Sequence, residues 1–257
     1  MNFNPVYPNQ RIFILYIAID IVLSNSTLSH SISGVKFILI DTIGWVYKKL
    51  LRRFLPYKCV NIGGYDIDYL AKLLDPKFHY EDYESVTVDA LNHLIRPEYR
   101  VLIVGAGVGR TALYAADTAR EVVVVDASET MLARAESNLE SNGFENFSLV
   151  HGQVGSGNNV FEAKEFAPGI DLGELGHFDL AELDIEGDEL YALEQLDDVD
   201  SIIVETHPQY GTTKADIIDA LSGRGYECEV WGIEWRKTGQ EIVSGVRSNA
   251  TEQLLNK

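Results

Sequence analysis

The stretch Tyr99–Asp126 constrains the fold of this chain more tightly than any other. It contains Val101–Val104, a short apolar run rich in β-branched residues. Such a run predicts a strand that is buried on both faces of a parallel sheet. The run is followed by Gly105, Gly107 and Gly109, and because glycine has no Cβ, the backbone here can turn sharply and approach a ligand. A helix that begins near Gly109 would point its N-terminal amide groups at that ligand.

A second buried strand, Val122–Val125, is followed by Asp126. A carboxylate in this position can accept hydrogen bonds from both hydroxyls of a ribose. The glycines have the spacing G-A-G-V-G, and Arg110 stands where dinucleotide-binding folds have the third glycine of G-x-G-x-x-G. This arrangement resembles the nucleotide site of class I S-adenosylmethionine-dependent methyltransferases. The resemblance implies a doubly wound, Rossmann-like α/β fold, with a seven-stranded, mostly parallel sheet whose last strand is antiparallel.

The same resemblance implies how the chain would hold S-adenosylmethionine. The glycines would cradle the methionine part and Asp126 would bind the ribose. A polar loop follows the predicted third strand, Phe147–His151, and Gln153 is its nearest candidate for a contact with adenine, unless the segment is a plain loop. The predicted cofactor-binding residues are Gly105, Ala106, Gly107, Gly109, Asp126, Ala127 and Gln153.

Composition limits the partners of the chain. Acidic residues outnumber basic ones by 39 to 21, which gives a net charge of −18 over 257 residues. A nucleic-acid backbone is therefore not expected as a partner, because binding to it needs a basic face. Cys59 and Cys228 lie far apart and form no C-x-x-C pair, so we predict neither a metal site nor a disulfide framework. A reduced, cytoplasmic setting fits this cysteine content.

The length suits one domain with an N-terminal extension. Residues 1–34 are an extension of unclear status, either a packed segment or the result of a start codon placed too early. Its apolar run Ile12–Leu23 is shorter than the ~20 residues of a membrane span and lacks the flanks of a signal peptide. We predict a helical N-terminal or lid segment over residues 35–98, the methyltransferase domain over 99–247 and a tail over 248–257.

The segment 43–55 has the pattern of an amphipathic helix with a basic face, and Pro56 ends it. Two interpretations are open: attachment to an anionic membrane at the inner face, or packing of the apolar face on the domain. A tyrosine-rich stretch follows, and Val86–Ile95 is predicted as a helix. Its tyrosines, which could cover the cofactor or belong to the core, are Tyr65, Tyr69, Tyr80 and Tyr83.

Acidic residues cluster where the predicted fourth strand, Phe178–Ile185, ends. Ligands bind at the carboxyl ends of strands in an open parallel sheet. Asp184 and Glu186 lie at this edge, and the fifth strand, Ser201–His207, brings Glu205 and His207 to the same edge. The last two strands, predicted over 227–232 and 241–247, should form an antiparallel hairpin at the end of the sheet.

The string L-D-I-E-G-D-E, then I-V-E-T-H-P, then a helix and G-Y, resembles the FkbM family of methyltransferases. The resemblance covers Tyr99–Gly232. The usual family pattern is K-I-D-x-E-G-x-E, in which Asp184, Glu186, Gly187 and Glu189 match, whereas Glu182 replaces the lysine. The resemblance implies O-methylation of a hydroxyl, often on a sugar or a glycosylated product.

Methyl transfer to oxygen is an in-line displacement that requires alignment of donor and acceptor and, for a hydroxyl, removal of its proton. We predict that Asp184 and Glu186 shape the junction of cofactor and acceptor. His207 or Glu205 is the candidate base, and His207 could alternatively orient Glu205. Two other classes of function are open: a nicotinamide-dependent oxidoreductase with the same fold, and a protein that binds the cofactor without catalysis. The acceptor would be a small molecule or glycan, and the oligomeric state cannot be predicted from the sequence.

Overall fold

The computed structural model of the chain describes residues 47–75, 80–155, 167–235 and 238–247. Our predictions for residues 1–34, for 35–46 and for the tail 248–257 lie outside these described residues. The chain divides into two compact units, one formed by residues 1–57 with 72–76 and the other by 58–71 with 77–257. No helix in the described ranges is long and apolar enough to cross a membrane.

The described part of the first unit corrects the prediction of an amphipathic α-helix over 43–55. Tyr47–Leu51 forms a π-helical turn and Arg52–Phe54 a 3₁₀ turn. The reason lies in the buried Asp75, whose carboxylate accepts hydrogen bonds from the Tyr47 hydroxyl at 2.8 Å and from Arg52 Nη2 at 2.8 Å. Phe54 is left 72% exposed. Membrane contact of this segment stays a prediction, and cosedimentation with anionic lipid vesicles would test it.

The second unit contains a seven-stranded sheet with helices on both of its faces. In chain order the strands are β1 (Tyr57–Ile62), β2 (Tyr65–Lys72), β3 (Arg100–Val104), β4 (Glu121–Asp126), β5 (Phe147–His151), β6 (Leu180–Leu183), β7 (Ser201–Glu205), β8 (Tyr226–Trp235) and β9 (Gln240–Arg247). The helices are α1 (Ser85–Leu94), α2 (Arg110–Thr118), α3 (Glu129–Ser141), α4 (Glu189–Glu194) and α5 (Lys214–Gly223).

The strand order in the large sheet is β5-β4-β3-β6-β7-β9-β8. The pairs that join β5 through β7 are all parallel, and β9 runs antiparallel between β7 and β8. This topology confirms the predicted doubly wound, Rossmann-like fold with its antiparallel last strand. The order changes direction between β3 and β6, and ligands bind at such a switch point.

The core lies on both sides of the sheet, as the continuous apolar runs predict. Along β3, Val101 and Ile103 belong to one buried cluster, whereas Leu102 and Val104 belong to another. Successive side chains of a strand point to opposite faces, so each face of β3 is covered. A shift of one residue in the register of β3 would move each of its side chains to the opposite face of the sheet. The packed side chains therefore fix the position of the residues that follow β3.

Local signals set the ends of the helices. The Ser128 side chain accepts a hydrogen bond from the backbone of Met131 and caps the start of α3. Thr213 and Asp216 form a capping box at the start of α5.

Some predicted elements differ from the structure. The segment 57–72, predicted as helical, forms the two-stranded sheet β1–β2, because Gly63 and Gly64 take positive φ values of 61° and 100° and reverse the chain. Strand β6 is shorter than Phe178–Ile185, and its chain turns away through Glu186 and Gly187, both at positive φ. The turn at Glu186 and Gly187 places the acidic residues after β6 in a loop.

Candidate functional site

A cavity of about 420 Å³ lies at the carboxyl ends of β3, β4, β6 and β7, a size in the range of small-molecule sites. Most of the predicted site residues contribute to its wall: Gly105, Gly107, Asp126, Ala127, Gln153, Asp184, Glu186, Glu205 and His207. Two predicted residues, Ala106 and Gly109, are not part of this wall. Tyr83, one of the tyrosines that could cover the cofactor, also borders the cavity, whereas sequence reasoning did not assign Glu84, Trp235 and Gln240 to the site.

The glycine turn after β3 forms one wall of the cavity. Its backbone lies very close to that of Asp184, which follows the neighbouring strand β6. Gly105 has φ +105°, and a Cβ on it would lie 2.0 Å from the carbonyl oxygen of Asp184. Gly107 has φ +50° and borders the cavity. Gly109 instead allows α2 to approach α3, since a Cβ there would lie 2.9 Å from Ala135 Cα. At Gly105 and Gly107 the turn therefore presents backbone atoms, with no side chain, to a ligand in the cavity.

Asp126 is fixed by two backbone amides. Its Oδ2 accepts a hydrogen bond from Ala106 N at 2.7 Å and its Oδ1 accepts one from Ser128 N at 2.6 Å. Burial raises the pKa of Asp126, and these two amides oppose that effect. Each carboxylate oxygen has a further lone pair, so the group can still accept two hydrogen bonds from a ribose.

Gln153 lies on the far side of the cavity, after β5. Its side-chain amide donates to the carbonyl oxygen of Gly155 at 3.3 Å. Its backbone is fixed between Pro168 and Ile170, through bonds of 2.8 and 3.0 Å. The predicted contact with adenine stays a prediction.

The opposite end of the cavity is strongly acidic, with Glu84, Asp184 and Glu205 in its wall and Glu182 buried next to it in β6. Glu84, Glu182 and Glu205 are only 7%, 1% and 3% exposed. Burial is the main cause that raises the pKa of Glu84 to about 8 and that of Glu205 to about 11, and it raises the pKa of Glu182 well above its usual range. Asp184 has its pKa raised to about 6, mainly by burial, against the lowering effect of the His207 charge. At neutral pH Asp184 is therefore the most readily ionised of these four.

His207 and Glu189 form a fully buried pair, both with no exposed surface. His207 Nδ1 lies 2.6 Å from Glu189 Oε1, and Nε2 lies 3.3 Å from Asp184 Oδ1 and 3.9 Å from Glu186 Oε2. Burial lowers the pKa of His207, but the Glu189 hydrogen bond and the nearby carboxylates more than offset this and leave it raised. His207 thus has a hydrogen-bond partner, Glu189, that the sequence analysis did not assign to it. Glu189 was visible in the acidic motif, but no local signal indicated this pairing.

The raised pKa of Glu84 predicts a pH effect on stability. The unfolded chain ionises Glu84 near its ordinary pKa of 4.5, whereas the folded chain keeps its proton until about pH 8. Stability should therefore fall as pH rises from about 4.5 to 8, because the unfolded state loses its proton first. We expect the melting temperature to fall over this range, and Glu84→Gln should reduce the fall by several degrees.

Differential scanning fluorimetry between pH 5 and 8 measures this effect. The matched control is Glu81→Gln, which changes the charge of an exposed residue in the same segment and should leave the pH dependence as in the wild type. Equal pH dependence in Glu84→Gln and the wild type would contradict the buried, protonated state of Glu84.

Residues 101–190 match a family model described as a methyltransferase domain. The matched range contains the glycine turn, Asp126 and the acidic loop after β6. Together with the strand order, the match identifies the chain as a methyltransferase that uses S-adenosylmethionine. No curated protein matches the sequence.

Solved structures with a similar chain course include three of bacterial origin. An rRNA methylase from Streptococcus thermophilus is 17% identical, with 68% of this chain and 98% of that chain covered and a TM-score of 0.46. A ribosomal protein L11 methylase from Lactobacillus delbrueckii subsp. bulgaricus is 21% identical, with 65% and 79% covered and a TM-score of 0.47. A protein from Streptococcus mutans, solved in complex with SAH, is 12% identical, with 64% and 97% covered and a TM-score of 0.46. Similarities of this size identify no substrate for this chain.

Proposed function

We propose that this methyltransferase transfers the methyl group of S-adenosylmethionine to a hydroxyl oxygen of a small molecule or glycan. The observation that supports this most is the position of Asp184. It borders the cavity next to the glycine turn and also lies 3.3 Å from His207 Nε2. Asp184 therefore lies between the cofactor side of the cavity and the buried pair of Glu189 and His207, which can accept or donate a proton.

The cofactor fits the other side of the cavity. Gly105 and Gly107 border the cavity with backbone alone, and Asp126 holds two lone pairs ready for ribose hydroxyls. We place Gln153 and Ala127 around the adenine, because both border the cavity beyond Asp126. The bound cofactor supplies an electrophilic methyl group on a sulfonium, and the protein's part is to align the acceptor with it.

The acceptor side needs a group that takes the hydroxyl proton. A base has to be unprotonated before the reaction, and Glu205, with its pKa raised to about 11, does not meet this condition at neutral pH. Asp184 does, because its pKa is raised only to about 6. We therefore assign proton removal to Asp184, with His207 stabilising its charge and Glu186 completing the wall.

The sequence pattern supports a hydroxyl as acceptor. The residues after β6 resemble the FkbM motif at Asp184, Glu186, Gly187 and Glu189. The resemblance of the chain to that family implies O-methylation of a hydroxyl, often on a sugar or a glycosylated product. Glu182 departs from the motif, and in the structure it is buried within β6 rather than placed in the cavity wall. We infer that its replacement of lysine alters the interior next to Asp184.

Mass spectrometry tests this proposal. Purified protein incubated with S-adenosylmethionine and glycan or lipid extracts should release S-adenosylhomocysteine and add ~14 Da, one methylene, to a hydroxyl-bearing product. Methylation at nitrogen or carbon would contradict the proposed acceptor. Binding of the cofactor with no turnover on any extract would favour the non-catalytic alternative.

Once an acceptor is known, His207→Gln should lower kcat by 10²-fold or more, within the range that general base catalysis supplies. The variant should change the affinity for S-adenosylhomocysteine little, because His207 lies on the acceptor side. Its loss removes a charge that lowers the pKa of Asp184, so the acidic limb of the pH–rate profile should move to higher pH. An unchanged profile and wild-type kcat would remove His207 from the mechanism.

A further inference from the structure

Three potential metal ligands meet at the acidic end of the cavity. Asp184 and Glu205 each offer one carboxylate oxygen and His207 one ring nitrogen, and these three atoms all lie within 4.8 Å of one another. The Asp184 Oδ1–His207 Nε2 distance is 3.3 Å. Two ligands that bind one divalent cation at ~2.1 Å and at right angles lie about 3 Å apart. The three atoms therefore need only small side-chain shifts to bind one ion.

The ring nitrogen that faces this space is not hydrogen-bonded. His207 Nε2 is buried and makes no hydrogen bond within the part of the chain that the structure describes. A buried polar atom of this kind costs free energy unless something satisfies it. The 3.3 Å approach to Asp184 lacks hydrogen-bond geometry, so Nε2 is directed at the carboxylates without being bonded to them.

The other ring nitrogen is held as in metal sites. His207 Nδ1 lies 2.6 Å from Glu189 Oε1, and a second bond, from Gly187 N at 2.9 Å, fixes the same oxygen. A histidine that binds a metal almost always donates its second N–H to a carboxylate or carbonyl, which fixes the tautomer. A cation would bind the neutral ring with its proton on Nδ1, in which the lone pair of Nε2 is directed toward Asp184 and Glu205.

Acidic side chains gather around this point. Glu84, Glu182 and Glu205 are all nearly inaccessible to solvent. A divalent cation would bind here with release of protons from its carboxyl ligands. Two carboxylates with an imidazole suit Mn²⁺, whereas Mg²⁺ prefers oxygen ligands alone.

We propose that Asp184, Glu205 and His207 bind a divalent cation, best matched by Mn²⁺, in the acceptor half of the cavity. The three residues border the cavity, so a cation held by them could bind the acceptor hydroxyl and would lower its pKa. Asp184 has a second carboxylate oxygen that can receive the proton. Binding of the cation stands on the geometry alone, whereas its role in activating a hydroxyl rests on the proposed function.

Titration of the full-length, chelator-treated protein with MnCl₂ tests the site, because the electron paramagnetic resonance signal of free Mn²⁺ disappears when the ion binds. We expect one tight site per chain. Glu205→Gln should weaken it at least tenfold, and Glu189→Gln, which loses only the support of His207, should weaken it by 10- to 100-fold. The matched control, Glu140→Gln, removes one exposed acid on α3 and should leave the tight site unchanged.

Calorimetry with S-adenosylhomocysteine shows whether each variant is folded, since the cofactor half of the cavity should be intact. Wild-type Mn²⁺ affinity in a Glu205→Gln protein that still binds S-adenosylhomocysteine would overturn the cation site. So would a wild type that binds S-adenosylhomocysteine but no Mn²⁺, and the proposed O-methylation would survive that result. Binding of methylammonium to this site in place of Mn²⁺ would also overturn the cation site. That result would indicate that the acidic groups bind a cationic acceptor.

Discussion

Replacing Asp126 by alanine should abolish the binding of S-adenosylmethionine, with at least a hundredfold loss of affinity. Hydrogen bonds to a charged group contribute about 1.5–3 kcal/mol each, and the ribose would lose two of them. The substitution also releases the amides of Ala106 and Ser128, which Asp126 holds at 2.7 and 2.6 Å. Part of the loss will therefore come from a less rigid glycine turn.

Isothermal titration calorimetry measures this loss. Glu121→Gln is the matched control, because it removes one charge from the other end of β4, where Glu121 pairs with Arg100 at 3.0 Å. It should bind the cofactor as the wild type does. Unchanged affinity in Asp126→Ala would show that the ribose lies elsewhere.

Gly105→Ala should be the most destabilising single change in the cavity wall. The new Cβ would lie 2.0 Å from the backbone oxygen of Asp184, and φ +105° is unfavourable for any residue with a Cβ. Because the clash is with backbone, β3 and β6 would have to separate. We expect a loss of about 3 kcal/mol or more, which for a chain of this size lowers the melting temperature by roughly 6–12 °C.

Gly143→Ala separates the clash from the backbone strain. Gly143 follows α3 at φ +85°, and a Cβ there meets no atom within 4 Å. It should cost about 1 kcal/mol, the penalty for a left-handed residue alone. Equal losses in the two variants, measured by chemical denaturation, would contradict the close contact between the glycine turn and Asp184.

Much of the fold could be predicted from the sequence because its signals are local. Strands β3 and β4 contain continuous apolar runs, and a run that is buried on both faces needs no knowledge of distant residues. The same holds for the caps at Ser128 and Thr213, whose partners lie three residues away. The pair β1–β2 was missed because its strands are partly exposed and lack a continuous apolar run.

The chemistry of the acceptor half could be predicted less well. The sequence placed Asp184, Glu205 and His207 at one edge of the sheet, since they follow adjacent parallel strands. It could not show that His207 is bonded to Glu189, 18 residues earlier, because that contact depends on how α4 packs. Nor could it show that Glu84 is buried in the same cavity, since burial of an acid is a property of the folded interior.

The central claim is that the glycine turn and Asp126 bind an adenosine-bearing sulfonium. The most direct test titrates the purified protein with S-adenosylhomocysteine and, separately, with NAD in a calorimeter. We predict one S-adenosylhomocysteine site per chain and no heat from NAD, because Arg110 replaces the third glycine of a dinucleotide site. Binding of NAD, or the absence of any S-adenosylhomocysteine binding by folded protein, would contradict the account.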